Sequence, residues 1–274
     1  MHPTAIIDPT ARIEPSVTVG PYAIIGKNAV IGDNTSVAGH AFIEHSVIGK
    51  DCVIGPYAVI GSPPQDLKYK DEPTRVELGD NCVVREFVTL NRGTVADGGH
   101  GVTKIGNNCF FMTYSHVGHD CVVGSNVVLV NCAALGGHAV VGDHVMIGGL
   151  SAVHQFVRVG QLCMIGGATG VEKDLPPYAL VEGNRGKIVG INVIGLRRKG
   201  FTKSQLVNIR KAYEALFFSG KTLKDDLAAL ESNSPGPELQ PLIEFLKLPS
   251  KRGITSAHLN GENSDRAERS ALRT

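Results

Sequence analysis

An aliphatic or aromatic residue returns at every sixth position of this chain, and that period excludes most folds. From Ile105 the series runs through Phe111, Val117, Val123, Leu129, Leu135, Val141, Ile147, Val153, Val159 and Ile165 to Val171, twelve positions without a slip. An earlier series runs from Ile7 to Ile43, slips by one residue, and resumes at Ile48, Ile54 and Ile60. A short third series is Leu78, Val84 and Leu90. A helix face repeats near 3.6 residues and a half-buried strand at 2, so neither accounts for a repeat of six. A short strand followed by a tight corner does, and units of that kind stack into a parallel β-solenoid. The anchor fills the interior, and the fourth residue after it is small, as at Ala23, Ala29, Ala133 and Ala139, leaving room beside it. Glycine often follows the anchor, as at Gly26, Gly118 and Gly136, and is expected to supply the unusual corner dihedrals.

This pattern resembles that of the hexapeptide-repeat acyltransferases. The resemblance implies an all-β left-handed parallel β-helix with three units per coil, a hand opposite to that of ordinary parallel crossovers. The 25 anchors then make a little over eight coils. At roughly 4.8 Å per coil the prism is about 40 Å long. Composition agrees, since 42% of residues are hydrophobic but only 5% aromatic, with no Trp, so the interior is narrow and aliphatic.

Several classes are disfavoured at once. Twenty-seven Lys and Arg against 26 Asp and Glu leave no electrostatic case for a nucleic-acid partner. No apolar run is long enough for a transmembrane segment, and the first residues have no export-signal pattern, so a cytoplasmic protein is expected. Of six cysteines, Cys52, Cys82, Cys109, Cys121 and Cys163 fall in the small inward slot, which points to core packing rather than metal or redox chemistry.

The expected organisation is a β-helix over 1–186, interrupted by loops near 62–75 and 92–103, a small C-terminal α-helical domain over 187–254, and a disordered tail over 255–274. Thr202 with Gln205 reads as a capping box opening a helix with the stripe Leu206, Ile209, Tyr213, Leu216 and Phe217, stopped by Gly220. Further helices fit Leu223–Glu231 and Glu238–Lys247.

Histidines are the informative polar residues. With 18 residues per coil, Gly118, Gly136 and His154 share one column, Asp120 and His138 another, and His119 lies beneath Gly137. His119, Asp120, His138 and His154 therefore gather on one edge, whereas His2, His40, His45 and His144 read as ordinary surface residues. Two chemistries suit the cluster. Imidazoles could hold zinc, as in solenoid carbonic anhydrases. Alternatively one neutral imidazole acts as general base on an attacking hydroxyl or amine, with Asp120 holding it and backbone amides near Gly136-Gly137 facing an oxyanion. The second uses more of what is present, because the zinc reading leaves both loops idle.

A narrower resemblance covers the chain to about residue 250. Gln65-Asp66-Leu67-Lys68-Tyr69, Glu72-Pro73-Thr74-Arg75-Val76, Arg92-Gly93-Thr94, His116-Val117-Gly118-His119-Asp120-Cys121, Gly136-Gly137-His138, Ala152-Val153-His154-Gln155-Phe156 and Gly195-Leu196-Arg197-Arg198-Lys199-Gly200-Phe201 occur in order. They are similar to the acyl-[acyl-carrier-protein]–UDP-N-acetylglucosamine O-acyltransferases, the first enzymes of lipid A biosynthesis. The resemblance implies that His119 is the general base, Asp120 its orienting acid and the Gly137 amide the oxyanion donor. It implies substrate contacts from Gln65, Asp66 and Lys68 of a neighbouring subunit, from His116, His138, His154 and Gln155, and from Asn192 and Arg198 at the nucleotide end. Gly167 matches the position that limits acyl length. A homotrimer, acyl carrier protein and UDP-N-acetylglucosamine as partners, and no cofactor are implied with it. Ile194 and Asn91 depart from the pattern, standing where an acid and a histidine often occur, and either could accompany a 3-amino sugar and an N-acyl product. The Gln65–Tyr69 loop and the Gly195–Phe201 segment count against the other solenoid transferases, CoA-dependent or acting later in the pathway.

Overall fold

The computed structural model describes residues 1–219 and 222–257. Twenty-five short strands, from Ile6–Ile7 to Gly170–Val171, each end on one of the anchors. Strand n pairs in parallel with strand n+3, so the strands sort into three sheets. The first sheet runs from Ile6–Ile7 to Gly170–Val171 and the second from Arg12–Ile13 to Arg158–Val159. The third starts at Thr18–Val19. Registers such as His116↔Ala134↔Ala152 advance by the expected coil length. Anchors and small slots are buried almost throughout, Ile25, Ala133, Leu135 and the five predicted cysteines among them, and all six cysteines are free. Ile7 is 36% exposed because no coil covers the first one.

The corners correct one expectation. The left-handed dihedrals fall three residues after the anchor, on Asn28, Asn34, Asp120, Asn126, His138 and others, and not on the glycines that follow the anchors, except Gly61 where loop one leaves the coil. Glycine follows the anchor for another reason, namely close approach between coils. A Cβ on Gly118 would stand 2.8 Å from the Leu135 carbonyl oxygen, and one on Gly136 would stand 2.7 Å from the Gln155 nitrogen.

The third sheet continues past residue 186. Ala179–Glu182 adds to it in parallel, and Lys187–Ile191 closes it as an antiparallel strand. Four helices follow: α1 Val193–Arg198, α2 Lys203–Phe218, α3 Leu223–Ser232 and α4 Gln240–Lys247. The capping box at α2 forms as read, with the Gln205 N–H donating to Thr202 Oγ1 and the Thr202 N–H to Gln205 Oε1. Its stripe packs on the last coil, where Tyr213 donates its hydroxyl to the Pro176 carbonyl at 3.1 Å. The expected stop at Gly220 lies outside the described residues.

The segment expected to be a tail packs at its start. Thr255 and Ala257 are buried, and the Thr255 N–H donates to the Asp174 carbonyl at 2.9 Å. Residues 258–274 lie outside the described residues.

Candidate active site

Each coil passes from the first sheet to the second through one corner, and both loops and the histidine cluster sit along that edge. Both loops emerge there, since 62–74 follows Val59–Ile60 of the first sheet and precedes Arg75–Leu78 of the second. The second loop lies likewise between Thr89–Leu90 and Val102–Ile105. His119, Asp120, His138, His154 and Gln155 occupy the same edge in later coils.

At its centre His119 Nδ1 lies 2.9 Å from Asp120 Oδ2. Asp120 is 1% exposed, and its oxygens are otherwise engaged by loop two. The Thr94 N–H and hydroxyl donate to Oδ2 at 2.8 and 3.0 Å, and the His100 N–H donates to Oδ1 at 2.9 Å. Burial works against the Asp120 charge, but the His119, Thr94 and His138 contributions outweigh it and hold the carboxyl below its usual range. An ionised carboxylate only accepts, so His119 Nδ1 carries a proton, and in the neutral ring that leaves the lone pair on Nε2. Thr103, which accepts the Asp120 N–H at 2.8 Å, and His100 hold Asp120 without belonging to any of the motifs, and Thr94 stood in the Arg92-Gly93-Thr94 motif with no task assigned to it. For Thr103 and His100 the signal was the interrupting loop itself.

Gly137 stacks on the other ring nitrogen, where an added Cβ would lie 2.5 Å from His119 Nε2. Among the described residues its N–H meets no acceptor. His138 stands edge-on to His119 with ring centroids 5.0 Å apart and stacks on Phe156 at 4.5 Å. His116 projects from the first sheet, its Nδ1 2.7 Å from Thr89 Oγ1. Burial, then the neighbouring His119, lowers the His116 pKa. For His138 burial lowers it most, against the raising effect of Asp120.

Ligand atoms of His119, Asp120 and His138 lie within 4.8 Å of one another, which puts the zinc reading to the test. Both Asp120 oxygens already accept protein donors, and His119 presents only Nε2. Two imidazoles remain, short of the three protein ligands a catalytic zinc takes, so the described residues of one chain do not make a zinc centre by themselves.

A sequence profile for UDP N-acetylglucosamine O-acyltransferase, domain 2, matches residues 174–255, and one for bacterial transferase hexapeptides (six repeats) matches 103–137. The chain is 45% identical over 208 residues to the acyl-[acyl-carrier-protein]–UDP-N-acetylglucosamine O-acyltransferase of Thermodesulfovibrio yellowstonii, covering 76% of this chain and 80% of that protein. The chain belongs to this acyltransferase family. Solved UDP-N-acetylglucosamine acyltransferases superpose along nearly the whole solenoid and the helices. LpxA from Acinetobacter baumannii matches with a TM-score of 0.89 at 41% identity, covering 93% of this chain and 98% of that one. The Arabidopsis enzyme matches at 0.81 and 32% identity, covering 93% and 100%. These likenesses make the fold a left-handed β-helix with a small helical C-terminal part.

The other expected residues of this acyltransferase are dispersed within one chain. His154 is exposed, its Nδ1 3.1 Å from the Gln155 carbonyl, two coils above His119. Gln65, Asp66 and Lys68 sit on loop one, where Asp66 Oδ1 accepts the Lys68 N–H at 2.9 Å. Asn192 caps α1, accepting the Gly195 N–H and donating to the Leu162 carbonyl, while Arg198 is exposed at the far end of that helix. Gly167 lies on the corner between the third and first sheets, and a Cβ there would meet only the Gly149 oxygen at 3.4 Å. Ile194 is 55% exposed, whereas Asn91 is buried and donates to the Pro63 carbonyl.

Proposed function

We propose that this chain transfers a 3-hydroxyacyl group from acyl carrier protein to the 3-hydroxyl of UDP-N-acetylglucosamine, the first step of lipid A biosynthesis. The observation that carries the reading is an imidazole fixed at Nδ1 by a buried carboxylate, with the Gly137 backbone packed against Nε2. His119 Nε2 removes the hydroxyl proton as the oxygen bonds to the thioester carbonyl, and Asp120 stabilises the imidazolium. The Gly137 N–H donates to the developing oxyanion. Collapse breaks the C–S bond, and the imidazolium returns its proton to the sulfur. The scheme uses no metal or redox cofactor.

In this reading His116, His138, His154 and Gln155 line the acceptor site, Asn192 and Arg198 take the nucleotide end, and Gly167 leaves length for the acyl chain. The solenoid unit extends past the expected boundary at 186 to Ile191, since Lys187–Ile191 belongs to its third sheet, and the helical unit follows with its helices between Val193 and Lys247. Among the described residues no helix is long and apolar enough to cross a membrane, and we place the reaction in the cytoplasm.

Gln65, Asp66 and Lys68 act on a neighbouring subunit's site in a homotrimer. Outward strand positions of the first sheet, and of the third as far as Met164, carry no Asp, Glu, Lys or Arg, whereas the second carries Arg12, Glu77, Lys104 and Arg158. The corner between those two uncharged faces is a column of stacked rings, Tyr22, His40, Tyr57, Phe87 and Tyr114, with centroids 4.9–5.3 Å apart. These exposed rings suit burial against copies of the chain. Sedimentation velocity should find trimers that Phe87→Asp disperses; a monomeric wild type sinks the arrangement.

The reaction is tested by mass analysis of products from a panel of acyl carrier protein thioesters offered UDP-N-acetylglucosamine or its 3-amino analogue. An ester product supports the reading. Transfer to the amino sugar alone, or to neither, overturns it.

A further inference from the structure

Beyond α4 the chain turns back over the last coil. The Asp174 N–H donates to the Gly253 carbonyl at 2.9 Å, Thr255 Oγ1 to the Lys173 carbonyl at 3.1 Å, and the Ile188 N–H to the Ser256 carbonyl at 3.1 Å. Arg252 Nε donates to the Glu172 carbonyl at 3.2 Å. These bonds fix residues 252–256 as a strap across the closed end of the solenoid.

The strap carries an ammonium to the catalytic edge. Lys251 Nζ stands 4.9 Å from the centroid of the Phe156 ring. Phe156 stacks on His138 at 4.5 Å with planes 13° apart, and His138 meets His119 at 5.0 Å. Lys251, Phe156, His138 and His119 thus form one contiguous row ending at the base. Lys251 is exposed, and among the described residues no carboxylate pairs with it. Its charge also opposes protonation of His138. A cation held over a ring at the mouth of an imidazole cluster, without a protein anion, is a receptor for an anion brought by a ligand.

We propose that Lys251 is a substrate-binding residue that receives a phosphate group at the mouth of the catalytic edge. The inference rests on the transferase reading, in which both substrates bring phosphate: the sugar nucleotide as a diphosphate, the carrier protein as the phosphodiester of its prosthetic arm. An ammonium on a flexible stem offers three donors to either.

The test compares Lys251→Met, which keeps the stem against Phe156, with Lys251→Arg, which keeps the charge. Each KM is measured with the other substrate saturating. Loss of one charge-assisted contact should raise one KM about tenfold, with kcat within about threefold of wild type. Lys251→Arg should recover most of that loss. A rise in the KM for sugar nucleotide identifies the diphosphate as the ligand; a rise in the KM for carrier thioester identifies the phosphodiester. The inference is overturned by Lys251→Met keeping both KM values within about twofold of wild type, or losing kcat alone. If the wild type fails to turn over any pair, the transferase reading itself has failed; if wild type and Lys251→Met behave alike, only the lysine's assignment falls.

Discussion

The Nδ1 of His119 lies 2.9 Å from Asp120 Oδ2, and that contact decides which nitrogen of the ring is basic. Asp120→Asn keeps the size but turns one oxygen into an NH₂. Facing that donor, His119 moves its proton to Nε2 and loses the lone pair that attacks the hydroxyl proton. Turnover should fall about 10³-fold or more, as when a triad acid is made an amide. His119→Ala should cost about 10²- to 10⁴-fold in kcat with the fold kept. Steady-state kinetics beside thermal melts would check both, and near-normal turnover of His119→Ala would remove the base assignment.

Gly137 has no freedom to carry a side chain. The methyl of Gly137→Ala would stand 2.5 Å from His119 Nε2, against backbone that two neighbouring coils hold in place. The imidazole must swing away, so we expect kcat to drop about 10²-fold or more while overpacking costs about 1–3 kcal/mol of stability. A variant with normal kcat and an unshifted imidazole resonance would contradict the packing seen here.

Much of this was legible in the chain because the repeat is rigid. Once Ile105 to Val171 fixes the coil length, His119, Asp120 and His138 must share an edge, and the registers agree. What could not be read is how the loops fold back. Nothing local in Thr94 or His100 announces a bond to a carboxylate that is 20 or more residues away. Helix α1 was missed because Asn192 caps a segment too short to show an apolar period. Glycine was given the wrong task, since the corners lodge Asn, Asp, His and Tyr in the left-handed region. The glycines answer to inter-coil crowding that only stacking reveals.

The half-buried His116 and His138 predict a pH dependence of stability. Burial lowers the pKa of His116 and of His138 from the ordinary value near 6.5. As pH falls below about 6.5 the unfolded chain takes up protons that the folded one refuses, so stability drops with pH from there down to the folded values. Asp120, also lowered, adds a second loss below its ordinary 3.8. Melting temperature followed from pH 7.5 to 5 should decline, and less steeply in His116→Gln. A decline of equal slope in that variant would assign the effect elsewhere.

Arg92 ties the two loops together. The residue is 4% exposed, and its guanidinium donates to the Tyr69 hydroxyl at 2.9 Å, the Gly61 carbonyl and Glu44 Oε1 at 3.1 Å, and Asp71 Oδ1 at 3.2 Å. Tyr69 and Asp71 belong to loop one, whereas Arg92 opens loop two, two residues before Thr94 grips Asp120. A planar fork with several donors fits this set of acceptors, and an ammonium reaches only some of them. Arg92→Lys should therefore loosen loop one more than it disturbs the base. The expected result is a KM for sugar nucleotide raised about tenfold with kcat changed less than about threefold, because Gln65, Asp66 and Lys68 lose their placement. Trypsin should also cut sooner after Lys68 and Lys70 than in wild type, which a uniform loss of stability would not single out. Should kcat collapse while the KM and the cleavage pattern stay put, Arg92 serves the catalytic acid through Thr94, and loop one is held by other contacts.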